Sequence, residues 1–305
     1  MTLGVKVESY SKDEAIKMAE GFLHSDKQAK IYTVNPEMVV RAQKDEYFKQ
    51  VLNAGDMNTC DGFGLWLALR LSFRPKRSEV EKSTTSIVRL PGVDFMIDIC
   101  RLAAKQGRSV FLLGSGSDEV VKKTADNLKK QFPNLKIAGY DKGPMINESI
   151  VIPRHIRFAQ CKLRRGIPLA TNVKGSFDSA SGLAQDDNEQ QGHLANYLVN
   201  KVNNSNAEIL FVAFGMGKQE KWIHENLTKM PNVRIAMGVG GSFDFISGII
   251  PRAPLFLRRI GLEWMYRLII QPNRLSRIFN ATILFAFLVL RGFIISNFQF
   301  PISKQ

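Results

Sequence analysis

The sequence predicts an α/β fold in which a mainly parallel sheet carries helices on both faces. Three observations predict it: short apolar runs typical of buried strands, amphipathic helical patterns between them, and glycine turns directly after several of the runs. With 305 residues and a hydrophobic content of 45%, the chain can bury a sizeable core as one large domain or two small ones.

The elements alternate in order along the chain. A helical face formed by Ala15, Met18, Ala19 and Leu23 predicts the first helix. The predicted helices are residues 11–23, 36–53 and 118–131, and the predicted strands are residues 30–34, 109–113, 136–140, 209–214 and 233–239. In such a sheet the ligand site is expected at the carboxyl ends of the strands.

Residues 150–192 interrupt this alternation. A basic stretch passes into the polar run SFDSASGLAQDDNEQQG. This composition predicts a surface insertion that is at least partly mobile.

Positive charge is concentrated at the C-terminal end. The formal net charge is +14, and residues 251–305 hold seven arginines and one lysine against one glutamate, a net +7. Such an asymmetry is typical of contact with nucleic acid, an anionic membrane face or a phosphorylated ligand. The three widely spaced cysteines fit neither a disulfide framework nor a zinc site and favour a reducing compartment. The N-terminal residues do not have the pattern of an export signal.

The C-terminal tail predicts a membrane contact. Residues 281–290 (ATILFAFLVL) are almost wholly apolar, and counted through Phe300 the run has about the 20 residues that a spanning helix needs. Arg291 disfavours spanning, because a central arginine costs roughly 2.5 to 3.5 kcal/mol on insertion scales. We expect an interfacial helix with upstream arginines on anionic headgroups. A helix packed on the core or on a partner chain is the alternative.

The glycine turn at Gly114, Ser115 and Gly116 is a candidate anion site, because it follows a strand and opens a helix. A tight turn with Ser117 as the helix cap fits the same residues. Glu119 stands where the dinucleotide fingerprint requires a third glycine, and no P-loop lysine follows. Hydride transfer and ATP hydrolysis are therefore disfavoured.

Two further turns bring polar groups to the same edge of the predicted sheet. Lys218 and Gln219 follow the strand at 209–214, and Gly240, Gly241 and Asp244 follow the strand at 233–239. Polar groups at these positions usually face a ligand. A simple turn is the alternative for the second of them.

Near the N-terminus, Thr33 and Asn35 end the first strand, and Asp61 opens the sequence DGFG. An aspartate at the mouth of a parallel sheet can act as a general base, although a plain turn residue fits the spacing as well. The four histidines are scattered and no Asp-x-Asp pair is present, so no metal site is predicted. Arginines would then have to neutralise a leaving phosphate.

A series of ordered motifs resembles the WecG/TagA/CpsF family of bacterial glycosyltransferases, which includes N-acetylmannosaminyltransferases. The resemblance covers residues 31–277 apart from the insertion. Its motifs are TVNPEM from Thr33, DGFG from Asp61, RLPGVD from Arg89, FLLGSG, GYDKG, FGMGKQEKW, GVGGSFDF, PRAP and GLEWMYRL.

The resemblance implies a Rossmann-like domain at residues 1–250 and a membrane-associating helical appendage at 251–305. The implied reaction is the inverting, metal-independent transfer of an N-acetylhexosamine-type sugar, N-acetylmannosamine or its uronic acid, from a UDP-sugar to a polyprenyl-diphosphate-linked sugar. It serves cell-surface polysaccharide synthesis and needs no cofactor. The implied location is peripheral, on the cytoplasmic face of the bacterial inner membrane, and a homo-oligomer is compatible with the sequence.

The resemblance also implies roles for individual residues. Asp61 matches the general base, Thr33 and Asn35 the polar strand end beside it, and Gln219 an amide near the transferred sugar. Arg89 matches an arginine that faces the diphosphate. The further residues expected to bind substrate are Gly114, Ser115, Gly116, Lys218, Gly240, Gly241, Asp244 and the appendage arginines Arg252, Arg259, Arg267 and Arg274.

One departure from the family pattern concerns the loop before Lys218. Family members usually have proline there, whereas this chain has Gly217, so we expect a more mobile loop. Two other classes of protein each fit part of the sequence. A nucleic-acid-binding protein would explain the basic end but not the glycine turns, and a non-catalytic membrane scaffold would explain the tail without chemistry.

Overall fold

The computed structural model describes residues 2–72, 88–143 and 181–297, with the backbone alone at 72, 181–192, 274 and 293–297. Through the last strand and the helix after it, the elements follow in the order α1 (Lys12–His24), β1 (Ala29–Val34), α2 (Pro36–Ala42), α3 (Glu46–Asn53), β2 (Met57–Cys60), α4 (Phe63–Ser72), α5 (Gly92–Gln106), β3 (Ser109–Gly114), α6 (Asp118–Gln131), β4 (Lys136–Asp141), α7 (Ser181–Asn204), β5 (Ile209–Ala213), α8 (Lys218–Asn226), β6 (Ile235–Gly238) and α9 (Ser242–Ile246).

Within the described residues the strands form one six-stranded sheet in the order β2-β1-β6-β5-β3-β4. All five strand pairs are parallel. The central strands β5 and β6 are buried along their whole length, whereas β4 at the edge alternates between exposed and half-buried residues. The predicted α/β class is therefore confirmed.

Successive side chains of the strands enter two different cores, as the period of a strand requires. Ile209 and Phe211 pack on the face covered by α1, α5 and α6. Leu210 and Val212 pack on the opposite face, against α2, α3, α7 and α8. The helices thus cover both faces, as predicted, and leave the carboxyl ends of the strands open.

The N-terminal helix follows its sequence pattern closely. Ser11 caps it in a capping box with Glu14, which satisfies donors that the first turn leaves free. Its predicted apolar face is buried in the core.

The sequence does not predict the strand β2, because its residues MNTC contain no apolar run. All four residues are nevertheless buried. Asn58 is tolerated there because its side-chain amide donates to the carbonyl oxygens of Leu52 at 2.7 Å and Lys6 at 3.0 Å. Asp61 consequently follows a strand of the sheet.

The predicted helix at 36–53 is two helices, α2 and α3. Asp45 interrupts it, because its carboxylate accepts the N–H of Phe48 at 3.0 Å and caps a new helix.

Residues 150–180 of the insertion predicted at 150–192 lie outside the described residues. From 181 onwards the backbone is helical and forms the start of α7, and the surface position and partial mobility expected of the insertion stay predictions.

The C-terminal segment is helical. Its elements are α10 (Leu255–Arg259), α11 (Glu263–Ile270), a 3-10 turn (Pro272–Arg274), α12 (Leu275–Phe279), a π-helical turn (Asn280–Leu284) and α13 (Phe285–Asn297). One side of this run packs against α2 and α4, with Phe285 buried in the core. The opposite side exposes Phe279, Ile283 and Phe287. By length and composition alone, residues 275–292 could cross a membrane.

Candidate active site

A polar cavity of about 520 Å³ lies at the carboxyl ends of the central strands. It is the place where loops following β1, β3, β5 and β6 meet, as the parallel topology requires. Residues named from the sequence that line it are Thr33, Asn35, Asp61, Ser115, Gly116, Lys218, Gln219, Gly240, Gly241, Asp244 and Arg267.

A second cavity, an apolar groove of about 570 Å³, lies beside it. One wall is α4 and the other is the C-terminal helical run. Its apolar lining includes Phe63, Leu67, Leu71, Trp264, Ile278, Phe285, Val289 and Leu290. Arg89 and Arg252 also line this groove.

Asp61 lies where the two cavities join. Six residues line both of them, namely Asn35, Asp61, Gly92, Val93, Arg267 and Arg277. Among these six residues, Asp61 is the one carboxylate. A single candidate general base therefore faces both the polar cavity and the apolar groove.

The environment of Asp61 raises the pKa of its carboxyl group to about 6. Burial is the largest cause, because it disfavours the charged form, and the negative charge of Glu263 adds to it. The N–H of Gly92, 3.4 Å from Oδ2, and the charges of Arg267 and Arg89 act in the opposite direction. The carboxylate is thus poised to change protonation close to neutral pH.

Two structural contacts hold Asp61 in place. Its backbone N–H donates to the carbonyl of Val34 at 2.8 Å, which ties it to the end of β1. The second contact is the N–H of Gly92, the first residue of α5, against Asp61 Oδ2. A side chain at position 92 would place its Cβ 2.9 Å from Thr33 Oγ1. Glycine therefore allows the N-terminus of α5 to approach the carboxylate.

Asn35 caps a helix as well as lining both cavities. Its Oδ1 accepts the N–H of Met38 at 3.0 Å and caps α2. The first strand, the first polar residue after it and α2 are fixed relative to one another by this bond.

The amide of Gln219 is engaged at both ends. Its Oε1 accepts the N–H of Gly240 at 2.9 Å, and its Nε2 donates to Glu220 Oε1 at 2.7 Å. The other oxygen of Glu220 accepts the N–H of Gly217 at 2.6 Å. Burial raises the pKa of Glu220 to about 6, against the opposing effect of these hydrogen bonds and of Arg41.

The turn after β3 is less open than the sequence predicts. The N–H of Ser115 donates to Ala213 and that of Gly116 to Lys142, at 3.0 and 2.9 Å, so both are already engaged. Ser117 is the N-cap of α6, which is the alternative that the sequence left open. Gly114 lines neither cavity and is required where β3 passes the backbone of Ala213.

The arginines divide by position. Arg267 lines both cavities and lies over the ring of Phe245 at 4.5 Å. Arg89 donates to the carbonyl oxygen of Arg258 at 2.6 Å. Arg252 forms a two-bond pair with Asp94 on α5, at 2.5 and 2.9 Å. Such pairs fix the geometry of both side chains.

Two of the appendage arginines named from the sequence are not placed at a cavity. Arg259 is exposed and lines neither one. The side chain of Arg274 lies outside the described residues.

Sequence reasoning missed several residues of the site. Arg277 lines both cavities and pairs with Glu37 at 2.8 and 3.0 Å, and Glu263 lines the groove. Arg277 is one of the seven arginines of residues 251–305, but nothing in its spacing separates it from its neighbours. In the described part of the chain, no three His, Cys, Asp or Glu side chains cluster closely enough to hold a metal ion.

The sequence matches the model of the Glycosyl transferase WecG/TagA/CpsF family over residues 1–163 and 153–297. The chain belongs to this family. It is similar to N-acetylglucosaminyldiphosphoundecaprenol N-acetyl-beta-D-mannosaminyltransferase of Bacillus subtilis (strain 168), with 29% identity over 252 residues, 83% of this chain and 75% of the relative. The protein of the same name from Bacillus spizizenii (strain ATCC 23059 / NRRL B-14472 / W23) is 28% identical over 259 residues, 85% of this chain and 78% of that one.

As a member of the WecG/TagA/CpsF family, the protein is a hexosyltransferase of polysaccharide synthesis. The family resemblance that the ordered motifs indicated is confirmed. The names of both relatives, which are transferases, disfavour the other two classes, a nucleic-acid-binding protein and a non-catalytic scaffold.

Proposed function

We propose that this enzyme moves N-acetylmannosamine, or its uronic acid, from a UDP-sugar to a sugar linked to polyprenyl diphosphate, with inversion. The names of both relatives support the transferred sugar and an acceptor joined to a polyprenyl chain through diphosphate. The UDP carrier and the stereochemical course come from the family resemblance and stay predictions.

The position of Asp61 is the observation that carries the proposal. A transfer between a water-soluble sugar nucleotide and a lipid-linked sugar needs a polar site and an apolar site that meet at the reacting atoms. Asp61 lies where the polar cavity and the apolar groove join. With a pKa of about 6, its carboxylate is both largely ionised at neutral pH and more basic than an ordinary aspartate.

In the proposed step, the Asp61 carboxylate takes the proton of the acceptor hydroxyl. The hydroxyl oxygen forms its bond to the anomeric carbon from the face opposite UDP. The bond between that carbon and the UDP oxygen breaks, and UDP leaves with the electron pair. A single displacement of this kind inverts the configuration and depends on holding both substrates in line.

Arginines are the groups available to neutralise phosphate charge on both sides of Asp61. We assign Arg267 to the departing diphosphate, because it lines both cavities beside Asp61. Arg89 and Arg252 line the groove and are assigned to the acceptor diphosphate. Guanidinium groups suit this task, because they bind phosphate oxygens through paired hydrogen bonds. Metal-independent transfer without a cofactor stays a prediction.

The apolar groove and the exposed apolar side of the C-terminal run support peripheral attachment to a membrane, which we place at the cytoplasmic face of the bacterial inner membrane. The polyprenyl chain would enter the groove between α4 and α13. The exposed Arg259 and Arg291, which line neither cavity, would contact anionic headgroups, each such contact contributing about 1 kcal/mol.

A donor screen tests the proposed function. UDP release is measured with UDP-N-acetylmannosamine, its uronic acid, UDP-N-acetylglucosamine and UDP-glucose, each with and without a polyprenyl-diphosphate N-acetylglucosamine acceptor. We expect acceptor-dependent release with one of the first two donors and a disaccharide product of inverted configuration. Release that requires no acceptor, or no release with any donor, would contradict the proposal.

A further inference from the structure

The loops after β5 and β6 are joined by side chains rather than by the sheet. β5 ends at Ala213 and β6 at Gly238, and their loops line the polar cavity but not the apolar groove. The link between them runs through Glu220 and Gln219, which are 2% and 4% exposed. Both side chains are therefore almost entirely inside the protein, with only a small part of each bordering the polar cavity.

The pattern of donors and acceptors in this link permits one arrangement. Gly240 offers an N–H, so it needs the oxygen of the Gln219 amide, and Nε2 then needs an acceptor, which is a carboxylate oxygen of Glu220. The remaining oxygen of Glu220 accepts from Gly217. Each oxygen and nitrogen atom of these two side chains has a partner, and the cost of leaving one unpaired keeps the arrangement fixed.

The packing around the amide is close. A side chain at Gly238 would come within 2.8 Å of Gln219 Nε2, so the amide lies flat on the backbone at the end of β6. Arg41, whose charge acts on Glu220, lies against Gly217 on the other side. A flipped amide would set Nε2 against the N–H of Gly240 and its oxygen against the carboxylate of Glu220, so both hydrogen bonds would be lost.

We propose that Glu220 is a positioning residue that fixes the Gln219 amide, and through it holds the β5 and β6 loops at the spacing that the donor requires. Gln219 then acts through the loops and not by direct contact with the reacting atoms, which changes the role that the family resemblance implied for it. This assignment of the loops to the donor rests on the proposed function, whereas the link between the loops does not.

Two substitutions separate this role from general stabilisation. Glu220→Gln removes the charge and places an amide NH₂ against the NH₂ of Gln219, so one hydrogen bond is lost whichever way either amide turns. Adding Gln219→Glu restores all of them, since the carboxylate at position 219 accepts from Gly240 and from the amide at position 220, whose oxygen accepts from Gly217. Glu225→Gln is the matched control, because Glu225 lies on the same helix α8 and lines neither cavity.

Backbone hydrogen exchange measures the link without any substrate. In Glu220→Gln we expect exchange of segments 214–218 and 238–242 to rise about tenfold, with segment 109–131, covering β3 and α6, unchanged as the sign of an intact fold. The double variant should recover the protection of both loops, and Glu225→Gln should behave as the unaltered protein. Unchanged exchange in Glu220→Gln, or a double variant no better protected than either single one, would overturn the link.

Kinetics with UDP-N-acetylmannosamine and a short-chain polyprenyl-diphosphate N-acetylglucosamine test the consequence. Glu220→Gln should lower kcat about tenfold and raise KM for the donor, with KM for the acceptor unchanged, and the double variant should recover most of kcat. Restored exchange without restored kcat would overturn the indirect role of Gln219. Absence of transfer in the unaltered enzyme would contradict the proposed function alone, because the exchange measurement still judges the link.

Discussion

At Asp61, burial and charge act in opposite directions on one carboxyl group. Burial and Glu263 raise its pKa, and the first N–H of α5 together with two arginines lowers it. The balance leaves the pKa at about 6, about two units above that of an ordinary aspartate. A base with such a pKa is ionised at neutral pH and still takes a proton readily.

The first prediction is the pH dependence of the reaction. The base form of Asp61 is lost as pH falls through about 6, so kcat/KM should be level near pH 8 and fall about tenfold per unit well below pH 6. The pKa of Glu220 is also raised to about 6, so the profile should be measured in Glu220→Gln as well. The fall in rate below pH 6 should remain in Glu220→Gln, at a lower kcat. A profile flat from pH 5 to 7, or a limb that disappears in Glu220→Gln, would contradict the assignment.

The second prediction concerns Gly217. Its φ of +85° is closed to proline, which is locked near −65°, and proline also lacks the N–H that Glu220 accepts. Gly217→Pro should therefore lower the free energy of unfolding by about 2 kcal/mol or more, measured by urea denaturation. Gly217→Ala keeps the N–H and should cost less. A proline variant as stable as the original chain would mean that this loop has another conformation.

Residues of the candidate site could be predicted from the sequence where a polar side chain follows a strand. Thr33, Asn35, Gln219 and Asp244 were named for that reason, and all line the polar cavity. The partnership of Gln219 with Gly240 could not be predicted, because it joins two loops that only the order of β5 and β6 brings together. The greater mobility expected from Gly217 stays a prediction.

At the scale of elements, the C-terminal helical run forms one wall of the groove and also exposes an apolar outer surface. Its inner side closes the groove with Ile278, Phe285 and Val289, while Ile283 and Phe287 on its outer side are each 59% exposed. Apolar side chains exposed in a row on one helix are typical of a membrane or protein contact. Packing on the core, the alternative that the sequence left open, is observed for the inner side, and the interfacial contact of the outer side stays a prediction.

The third prediction separates these two sides. Deleting residues 278–305 should release the protein from vesicles that contain anionic lipid and sharply reduce turnover with a long-chain acceptor. Because the deletion also removes buried Phe285, the double variant Ile283→Ser, Phe287→Ser tests the outer side alone. It should weaken vesicle binding with turnover on a short-chain acceptor preserved. Unchanged membrane fractionation together with unchanged turnover would defeat the account of the tail.

Elements were predictable when their periodicity was clear and unpredictable when contacts decided them. The strand β5, with five buried apolar residues, was evident from its sequence. The strand β2 was not, since Asn58 and Thr59 are buried through the fold around them. The division of residues 36–53 into α2 and α3 depends on the cap at Asp45, a local signal within an otherwise continuous helical pattern.

At the scale of the whole molecule, the arrangement places one carboxylate between two chemically different spaces. The sheet supplies the polar cavity, and α4 with the C-terminal run supplies the apolar groove. The contact of Arg277 with Glu37 on α2 and that of Arg252 with Asp94 on α5 tie the appendage to the sheet domain. This explains why an appendage distant in sequence lies beside residues of the first strand.

The fourth prediction uses Asp61→Asn, because the central claim is that Asp61 is the base at the junction of the two cavities. UDP-sugar binding is measured by calorimetry and transfer to a polyprenyl-diphosphate sugar by product formation. Arg234 directly precedes β6, at the end of the sheet opposite the cavities, so Arg234→Gln serves as the control and should keep full transfer. The account predicts a fall in kcat of about 100-fold or more with donor affinity unchanged. Transfer at a near-normal rate with intact binding would contradict it.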